Sequence, residues 1–197
     1  MTPLRPTPLR RPAAAVCLVV ATLAVTGCVA RRTPSIRYYR VSVPPPAAAT
    51  IGATIVVSSI GAEPGYAETR MAWRPSPYRI EYTAFHRWVA APSLMLSSVL
   101  EEHLTQAATG TPSRRVFVTG TVRRIEAVRT DDGRDAVLGL TLAAELDGHR
   151  LVERTWDERE PVADSDDPEA VAAAISAALT RILAEFTAAL AAHVPAS

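Results

Sequence analysis

The sequence predicts an α+β fold of one domain, in which an antiparallel sheet carries two main helices on one face. Apolar and polar residues alternate in several segments, as they do in half-buried strands. Twice this period of two gives way to the three- and four-residue spacing of an amphipathic helix. The resulting order is strands, a helix, three strands and a second helix. Placing both helices on one face of the sheet would bury both apolar stripes at once.

The strands before the first helix are short and separated by turns. Residues 36–43 (IRYYRVSV) are rich in β-branched and aromatic side chains and are followed by three prolines at 44–46. Residues 51–60 (IGATIVVSSI) predict a second strand, and residues 71–74 and 78–82 flank the turn sequence RPSP. These last two segments predict a small meander.

The first helix is predicted over residues 92–107. Pro92 is tolerated in the first turn of a helix, where its missing N–H would have no partner. Ser97, Glu101 and Glu102 fall on other faces than the apolar stripe. The stripe consists of Leu96, Val99, Leu100, Leu104 and Ala107.

Three antiparallel strands are predicted next. Valines alternate with polar or aromatic side chains over residues 116–122, but the phase shifts immediately afterwards, which indicates a bulge near Arg123. Aspartate-glycine pairs are typical of tight hairpin turns. The remaining segments are a turn at 131–133, a leucine-rich strand at 138–146, a turn at 147–148 and a strand at 150–156.

The last helix has a clear start signal. Asp167 can cap it, Pro168 suits its first position, and Glu169 favours the positive end of the helix dipole. The apolar stripe runs towards His193 and consists of Val171, Ile175, Leu179, Ile182, Phe186 and Leu190. The other side is rich in alanine, which favours either close packing against another protein or simply high helix propensity. These alanines are Ala170, Ala172, Ala173, Ala177, Ala184, Ala188 and Ala191.

The N-terminal region has the pattern of a bacterial lipoprotein signal over residues 1–27. An apolar run at 13–25 follows Arg5, Arg10 and Arg11 and is too short to span about 30 Å of hydrocarbon. Val25-Thr26-Gly27-Cys28 resembles the lipobox, in which the cysteine becomes the acylated N-terminus. The alternative is cleavage nearby, with Cys28 left as a free thiol.

Lipidation would make residues 28–36 an acylated tether and leave residues 37–194 as the folded domain. Three acyl chains on Cys28 would hold the protein firmly on its membrane. No aspartate follows the cysteine, which by the sorting rule of enteric lipoproteins implies the periplasmic face of the outer membrane. The mature chain is slightly acidic, and all basic side chains are arginines, so no nucleic-acid partner is indicated.

The sequence contains no recognisable catalytic, metal-binding or cofactor-binding motif. The four histidines lie in four different elements without HExxH spacing, and neither a GxSxG elbow nor a phosphate-binding GxxxxGK[ST] loop occurs. We therefore expect no catalytic residue, no metal and no cofactor apart from the acyl chains on Cys28. The rival hypothesis is a small periplasmic hydrolase with a nonstandard site around Glu81 and His86.

Residues 78–100 are unusually aromatic for this chain. Tyr78, Tyr82, Phe85 and Trp88 lie within eleven residues, whereas aromatic residues make up 6% of the whole sequence. Most of these rings are expected to seal the sheet against the following helix. Trp88 lies where the predicted strand ends and the helix is about to begin, and it could instead stay partly exposed and anchor another chain.

This segment, together with RYYRV at residues 37–41, resembles the ABC-type transport auxiliary lipoprotein family, which includes the PqiC-like proteins. The family has a tyrosine-bearing first strand, a Tyr-x-x-x-Tyr-like strand and an Arg-Trp pair before a helix. The matching positions here are Tyr38, Tyr39, Tyr78, Tyr82, Arg87 and Trp88. The family's usual acidic residue and proline after the tryptophan are replaced by Val-Ala-Ala-Pro at 89–92, which is a mild departure.

The resemblance implies a non-catalytic outer-membrane lipoprotein. Its partner would be an MCE-domain protein of an ABC transport system that moves phospholipid or other hydrophobic cargo between the inner and outer membranes. Partner binding would involve Arg87, Trp88, Tyr78 and Tyr82, and self-association is a further expectation. The alternative is a lipoprotein regulator or assembly factor of another envelope machine, such as a cell-wall synthase activator.

Overall fold

The computed structural model describes residues 34–48, 50–110, 114–162 and 167–196. The predicted signal and Cys28 lie outside these residues, so the division at Cys28 stays a prediction. From Ile36 on, the described residues form one compact unit. The strands are β1 (Arg37–Tyr39), β2 (Thr54–Ala62), β3 (Arg70–Ser76), β4 (Arg79–Trp88), β5 (Arg115–Thr130), β6 (Gly133–Leu146) and β7 (His149–Pro161). The helices are α1 (Pro92–Gln106) and α2 (Pro168–His193), with a 3-10 helix at Pro64–Tyr66.

The α+β class is confirmed, but the purely antiparallel sheet is wrong, because the seven-stranded sheet is mixed. Strand β5 pairs with β6 along one edge, while β2 and then β3 occupy its other edge, both parallel to it. Strand β4 and helix α1 lie between β3 and β5 in the chain, which gives the crossover that a parallel pair needs. Strands β5, β6 and β7 are antiparallel, as predicted.

The first strand is shorter than predicted. Strand β1 pairs in parallel with the end of β4, and its last pair joins Tyr39 to Trp88. Beyond Trp88 the chain leaves the sheet to enter α1, so no partner strand continues past this point. The predicted strand at 36–43 therefore ends early because its partner ends.

The helix stripes form one core with the sheet. Every predicted stripe residue of α2 is buried, and Leu96, Leu100 and Leu104 of α1 are wholly inaccessible. They belong to the same cluster as Val118, Leu140 and other residues of the central strands. Ala172, which was expected on the outer side of α2, is also buried.

Helix α2 is long and apolar enough to cross a membrane, but 56% of its most apolar 18-residue stretch is buried inside the domain. Charged contacts at its border attach it to β7: Arg181 pairs with Glu158 at 2.7 Å, and Glu185 accepts a hydrogen bond from Nε1 of Trp156 at 2.9 Å. These features are typical of a core helix in a folded domain.

The predicted bulge in β5 is confirmed. The register with β6 shifts between Val122 and Arg124, and Gly139 lies opposite the shift. A Cβ atom at Gly139 would come within 3.1 Å of the Arg124 Cβ. The glycine thus makes room for the bulge, and the bulge brings Arg124 and Glu126 to the sheet face that the helices leave open.

Candidate partner-binding surface

Trp88 is a core residue. Its relative exposure is 1%, and its indole Nε1 has no hydrogen-bond partner among the described residues. Strand β1 places Tyr39 beside it, and the backbone N–H of Val89 donates to the Tyr39 carbonyl at 2.8 Å. The alternative of a partly exposed Trp88 is therefore wrong, and the ring helps to seal the sheet against α1. A role for Trp88 in partner binding stays a prediction.

The other three expected partner-binding residues do not converge on Trp88. Tyr78 lies in the β3–β4 turn and is almost completely exposed, at the opposite end of β4. Tyr82 is half-buried and donates its hydroxyl to the Gly65 carbonyl at 2.9 Å. Arg87 is also half-buried, and its Nε has no hydrogen-bond partner in the described part of the chain. A role for these residues in partner binding stays a prediction.

A patch of exposed apolar side chains lies instead where β1 meets β4. Its members are Ile36, Tyr38, Phe85 and Val89, whose relative exposures are 42%, 61%, 37% and 59%. Tyr39, next to Tyr38, is the neighbour of buried Trp88, so alternation turns Tyr38 to the opposite face of the sheet. We call these four residues the β1–β4 patch.

The edge strand that carries this patch is fixed by a side-chain contact. The Tyr39 hydroxyl and Nδ1 of His86 are 2.9 Å apart, and their rings lie close together. The hydrogen bond couples β1 to β4 on the covered side of the sheet, while Tyr38 points away from it. The patch is therefore presented by an ordered strand, which lowers the entropic cost of binding.

A buried carboxylate surrounded by arginines is the main charged site of the domain. Glu126 is 1% exposed and accepts hydrogen bonds from three side chains. Arg74 Nε lies 3.0 Å from both carboxylate oxygens, Arg124 Nη2 lies 2.7 Å from Oε1, and the Tyr66 hydroxyl lies 2.9 Å from Oε2. We call these four residues the Glu126 cluster.

The cluster keeps Glu126 ionised. Burial alone would raise the pKa of this carboxyl, but hydrogen bonds from Arg74, Arg124 and Tyr66 outweigh burial and hold the pKa below its usual value. Burial raises the pKa of Tyr66, so its phenol stays protonated and donates to the carboxylate. The carboxylate thereby fixes the position of two arginines whose side chains remain about one quarter exposed.

Sequence reasoning missed this cluster. Its four members come from three segments. Tyr66 lies in the 3-10 helix, Arg74 lies in β3, and the other two lie in β5, so only the tertiary fold brings them together. The phase shift near Arg123 was the one signal in the sequence, since it marks where the β5 side chains change faces. A glutamate two residues beyond such a shift is not by itself diagnostic of burial.

The residues of the rival hydrolase hypothesis have separate partners. Glu81 pairs with Arg79 at 3.0 Å, while His86 contacts Tyr39, and no hydrogen bond joins Glu81 to His86 in the described segments. Within residues 34–48, 50–110, 114–162 and 167–196, no three His, Cys, Asp or Glu side chains are close enough to hold a metal ion. Neither observation supplies a catalytic arrangement for that hypothesis.

Comparison with known proteins relates the chain to one family and one fold. The family described as ABC-type transport auxiliary lipoprotein component matches residues 39–186. The crystal structure of protein XCC0632 from Xanthomonas campestris is similar at 22% identity, with 81% of this chain and 97% of that chain covered and a TM-score of 0.64. A crystal structure of an uncharacterized protein is similar at 12% identity, covering 79% and 98%, with a TM-score of 0.64.

No curated protein sequence matches this chain. The two solved structures are too distant in sequence to carry more than the fold, and they agree with the mixed sheet and two helices described above. The family match extends from the last residue of β1 into α2, so it includes nearly the whole described domain. The chain therefore belongs to the ABC-type transport auxiliary lipoprotein component family.

Proposed function

We propose that this protein is a non-catalytic, lipid-anchored component of an MCE-type ABC transport system on the periplasmic face of the outer membrane. In that role it binds an MCE-domain protein and assists the movement of phospholipid or other hydrophobic cargo between the two membranes. The family match over residues 39–186 is the observation that carries the proposal, because it already implies association with an ABC-type transporter.

The position of the β1–β4 patch supports a docking role. The patch begins at Ile36, and the proposed tether at residues 28–36 spans at most about 30 Å when fully extended. An acyl anchor on Cys28 would hold the patch close to the membrane surface. Exposed tyrosine and phenylalanine side chains on a rigid strand are typical anchors for a protein partner.

The proposal is tested by capturing partners from chemically crosslinked envelopes. The acylated protein is compared with Cys28→Ala, with Tyr38→Asp/Val89→Asp in the patch, and with Phe117→Asp as a matched control. Phe117 is an aromatic residue that is also partly exposed, but it lies near the start of β5, away from β1. Captured proteins are identified by mass spectrometry, and thermal unfolding verifies that each variant is folded.

We expect the wild type and Phe117→Asp to capture an MCE-domain protein. The patch variant should lose most of this capture, because buried charge opposes docking of an apolar surface. Cys28→Ala should lose capture and membrane association together. Capture of only a cell-wall synthase, or of no envelope protein at all, would contradict the proposed transport role.

A further inference from the structure

An irregular segment connects β1 to both helices. Residues 40–48 (RVSVPPPAA) form neither helix nor strand and contain three consecutive prolines. Val41 in this segment is 1% exposed, and Val43 packs against the same core. The backbone N–H of Ser42 donates to Oγ of Ser176 in α2 at 3.1 Å. We call residues 40–48 the proline strap.

His103 of α1 attaches the proline strap to the other helix. Because proline has no N–H, the carbonyl oxygen of Pro44 accepts the hydrogen bond that joins it to the His103 ring. Nδ1 of His103 has no hydrogen-bond partner among the described residues, so Nε2 is the donor. The neutral imidazole therefore holds the Pro44 carbonyl with one nitrogen and leaves the other nitrogen without a proton.

The surroundings of His103 favour this neutral form. The residue is 7% exposed, and burial lowers the pKa of its imidazole, while the hydrogen bond to Pro44 opposes this effect without outweighing it. A second proton would place an N–H on Nδ1, which has no acceptor in the described part of the chain. Thr187 of α2 lines a groove with His103, but its hydroxyl is also without a partner and so does not bond Nδ1.

The charged groups around His103 do not stabilise an imidazolium. Arg40 of the strap and Glu102 of α1 line a shared cavity with His103, and both are exposed to solvent. Their charges are opposite and screened by water, so together they offset little of the cost of a buried cation. The described α2 residues that line the groove beside His103 are threonines and alanines, which carry no charge.

Strand β1 depends on the strap for its position. Its three residues pair with the end of β4, which is a short ladder for a strand at the edge of a sheet. The contact between the Tyr39 hydroxyl and His86 is a second attachment. Since the proline strap follows β1 directly, separation of Pro44 from His103 would free the chain on the helix side of β1.

We propose that protonation of His103 releases the proline strap from α1 and loosens β1 at mildly acidic pH. In the open state the imidazole is in water, where its pKa is about 6.5. Below that pH the open state binds one more proton than the closed state, so the population of the open state rises by up to about tenfold per pH unit. Above about pH 7 the equilibrium is independent of pH, because both states are neutral.

Release of the strap has a consequence for the β1–β4 patch. Tyr38 lies in β1 and Ile36 precedes it, so both would lose their ordered presentation. Binding of a transport component at the patch should then weaken on acidification. Only this consequence rests on the proposed function, since the release itself follows from the contacts of His103.

The test is the labelling rate of a cysteine at position 41, measured with dithiodipyridine at about pH 7.5 and about pH 5.5. Val41→Cys is introduced into the full chain carrying Cys17→Ser and Cys28→Ala, so that a single thiol reacts. Each rate is divided by the rate for free cysteine at the same pH, which removes the titration of the thiol itself. Val118→Cys, at an equally buried position in the central sheet, is the control for global unfolding.

Two further variants identify the histidine that responds. His103→Gln retains a donor for the Pro44 carbonyl but takes up no proton near neutral pH. His86→Gln is the matched control, because His86 is the histidine that contacts β1 directly. Each substitution is combined with Val41→Cys.

We expect position 41 to label about tenfold faster at the lower pH, while the normalised rate at position 118 stays constant. The acid response should disappear in His103→Gln and persist in His86→Gln. No acid response at position 41, an equal response at position 118, or a response that persists in His103→Gln would overturn the proposal.

A second measurement needs no substitution. In a pH titration followed by nuclear magnetic resonance, the His103 ring should have a lower midpoint than the ring of exposed His149. A midpoint equal to or above that of His149 would also overturn the proposal. Neither measurement involves a partner protein, so failure of the strap proposal leaves the proposed function standing, and failure of partner capture leaves the strap proposal standing.

Discussion

The same strands present different kinds of side chain on the two faces of the sheet. The covered face, beneath α1 and α2, carries fully buried apolar side chains such as Val118, Leu138 and Leu140, which form one core with Ile175 and Phe186 of α2. The open face carries the Glu126 cluster at one end and exposed Tyr38 at the β1–β4 edge. We infer that the covered face supplies stability, whereas the open face holds groups that a merely stable domain would not need.

The largest expected effect is on the covered face. Phe186→Ala should lower the free energy of unfolding by about 3–5 kcal/mol, because it leaves a cavity in the centre of the core. Phe117→Ala on the open face should cost about 1 kcal/mol or less, since that ring is 45% exposed. Urea unfolding measures both, and equal losses would remove the distinction between the two faces.

A large effect is also expected from breaking the Glu126 cluster. Glu126→Gln should destabilise the fold by about 3 kcal/mol, because it leaves two partly buried arginines without their shared carboxylate.

Replacing all four residues of the Glu126 cluster tests whether its charged contacts themselves stabilise the fold. The combined variant Tyr66→Phe/Arg74→Met/Glu126→Leu/Arg124→Met should unfold within about 1 kcal/mol of the wild type, because apolar side chains of similar volume avoid the desolvation cost of buried charges. If the combined variant were as unstable as Glu126→Gln, the charged contacts of the cluster would themselves stabilise the fold.

The pH dependence of stability follows from the lowered pKa of Glu126. In the folded state this carboxyl binds fewer protons than in the unfolded state, so its contribution is fully present above its unfolded pKa, about 4.3. The contribution is lost as the pH falls through the lower folded-state pKa. The difference in unfolding free energy between wild type and Glu126→Gln should be constant from about pH 7 to 5 and shrink below about pH 4. A difference that grows on acidification would contradict the assigned ionisation.

The smallest expected effect is at the start of α2. Asp167 accepts a hydrogen bond from the Glu169 backbone N–H at 3.0 Å, so Asp167→Ala should cost about 1 kcal/mol. Asp167→Ser, which retains a capping oxygen, should recover most of this loss in the same urea titration. If the serine variant were no better than alanine, the cap would contribute little here.

The covered face was largely predictable from the sequence, because it follows local rules. The α2 stripe from Val171 to Leu190, the Asp167 cap and the bulge beside Arg123 each depend on spacing or on adjacent residues. Asp147 and Gly148 both have positive φ angles, as the predicted tight turn requires.

Features that depend on distant parts of the chain were not predictable in the same way. The parallel pairing of β2 and β3 with β5 depends on a long crossover, which single-strand patterns do not specify. The burial of Glu126 depends on Arg74 and Tyr66 from distant segments, and the burial of Trp88 depends on β1 beside it. A tryptophan next to a helix start has the same local sequence whether a neighbouring strand covers it or not.

In the proposed function, the open face at the β1–β4 edge binds a transport component. Its most direct test is a photo-crosslinking amino acid placed at position 38 in the native envelope, with position 101 as the comparison site. Tyr38 belongs to the β1–β4 patch, whereas Glu101 is an exposed residue of α1 on the helix side. We expect a crosslink to an MCE-domain protein from position 38 and none from position 101. A crosslink from position 101 alone, or from position 38 only to a cell-wall synthase, would overturn the proposed docking at this edge.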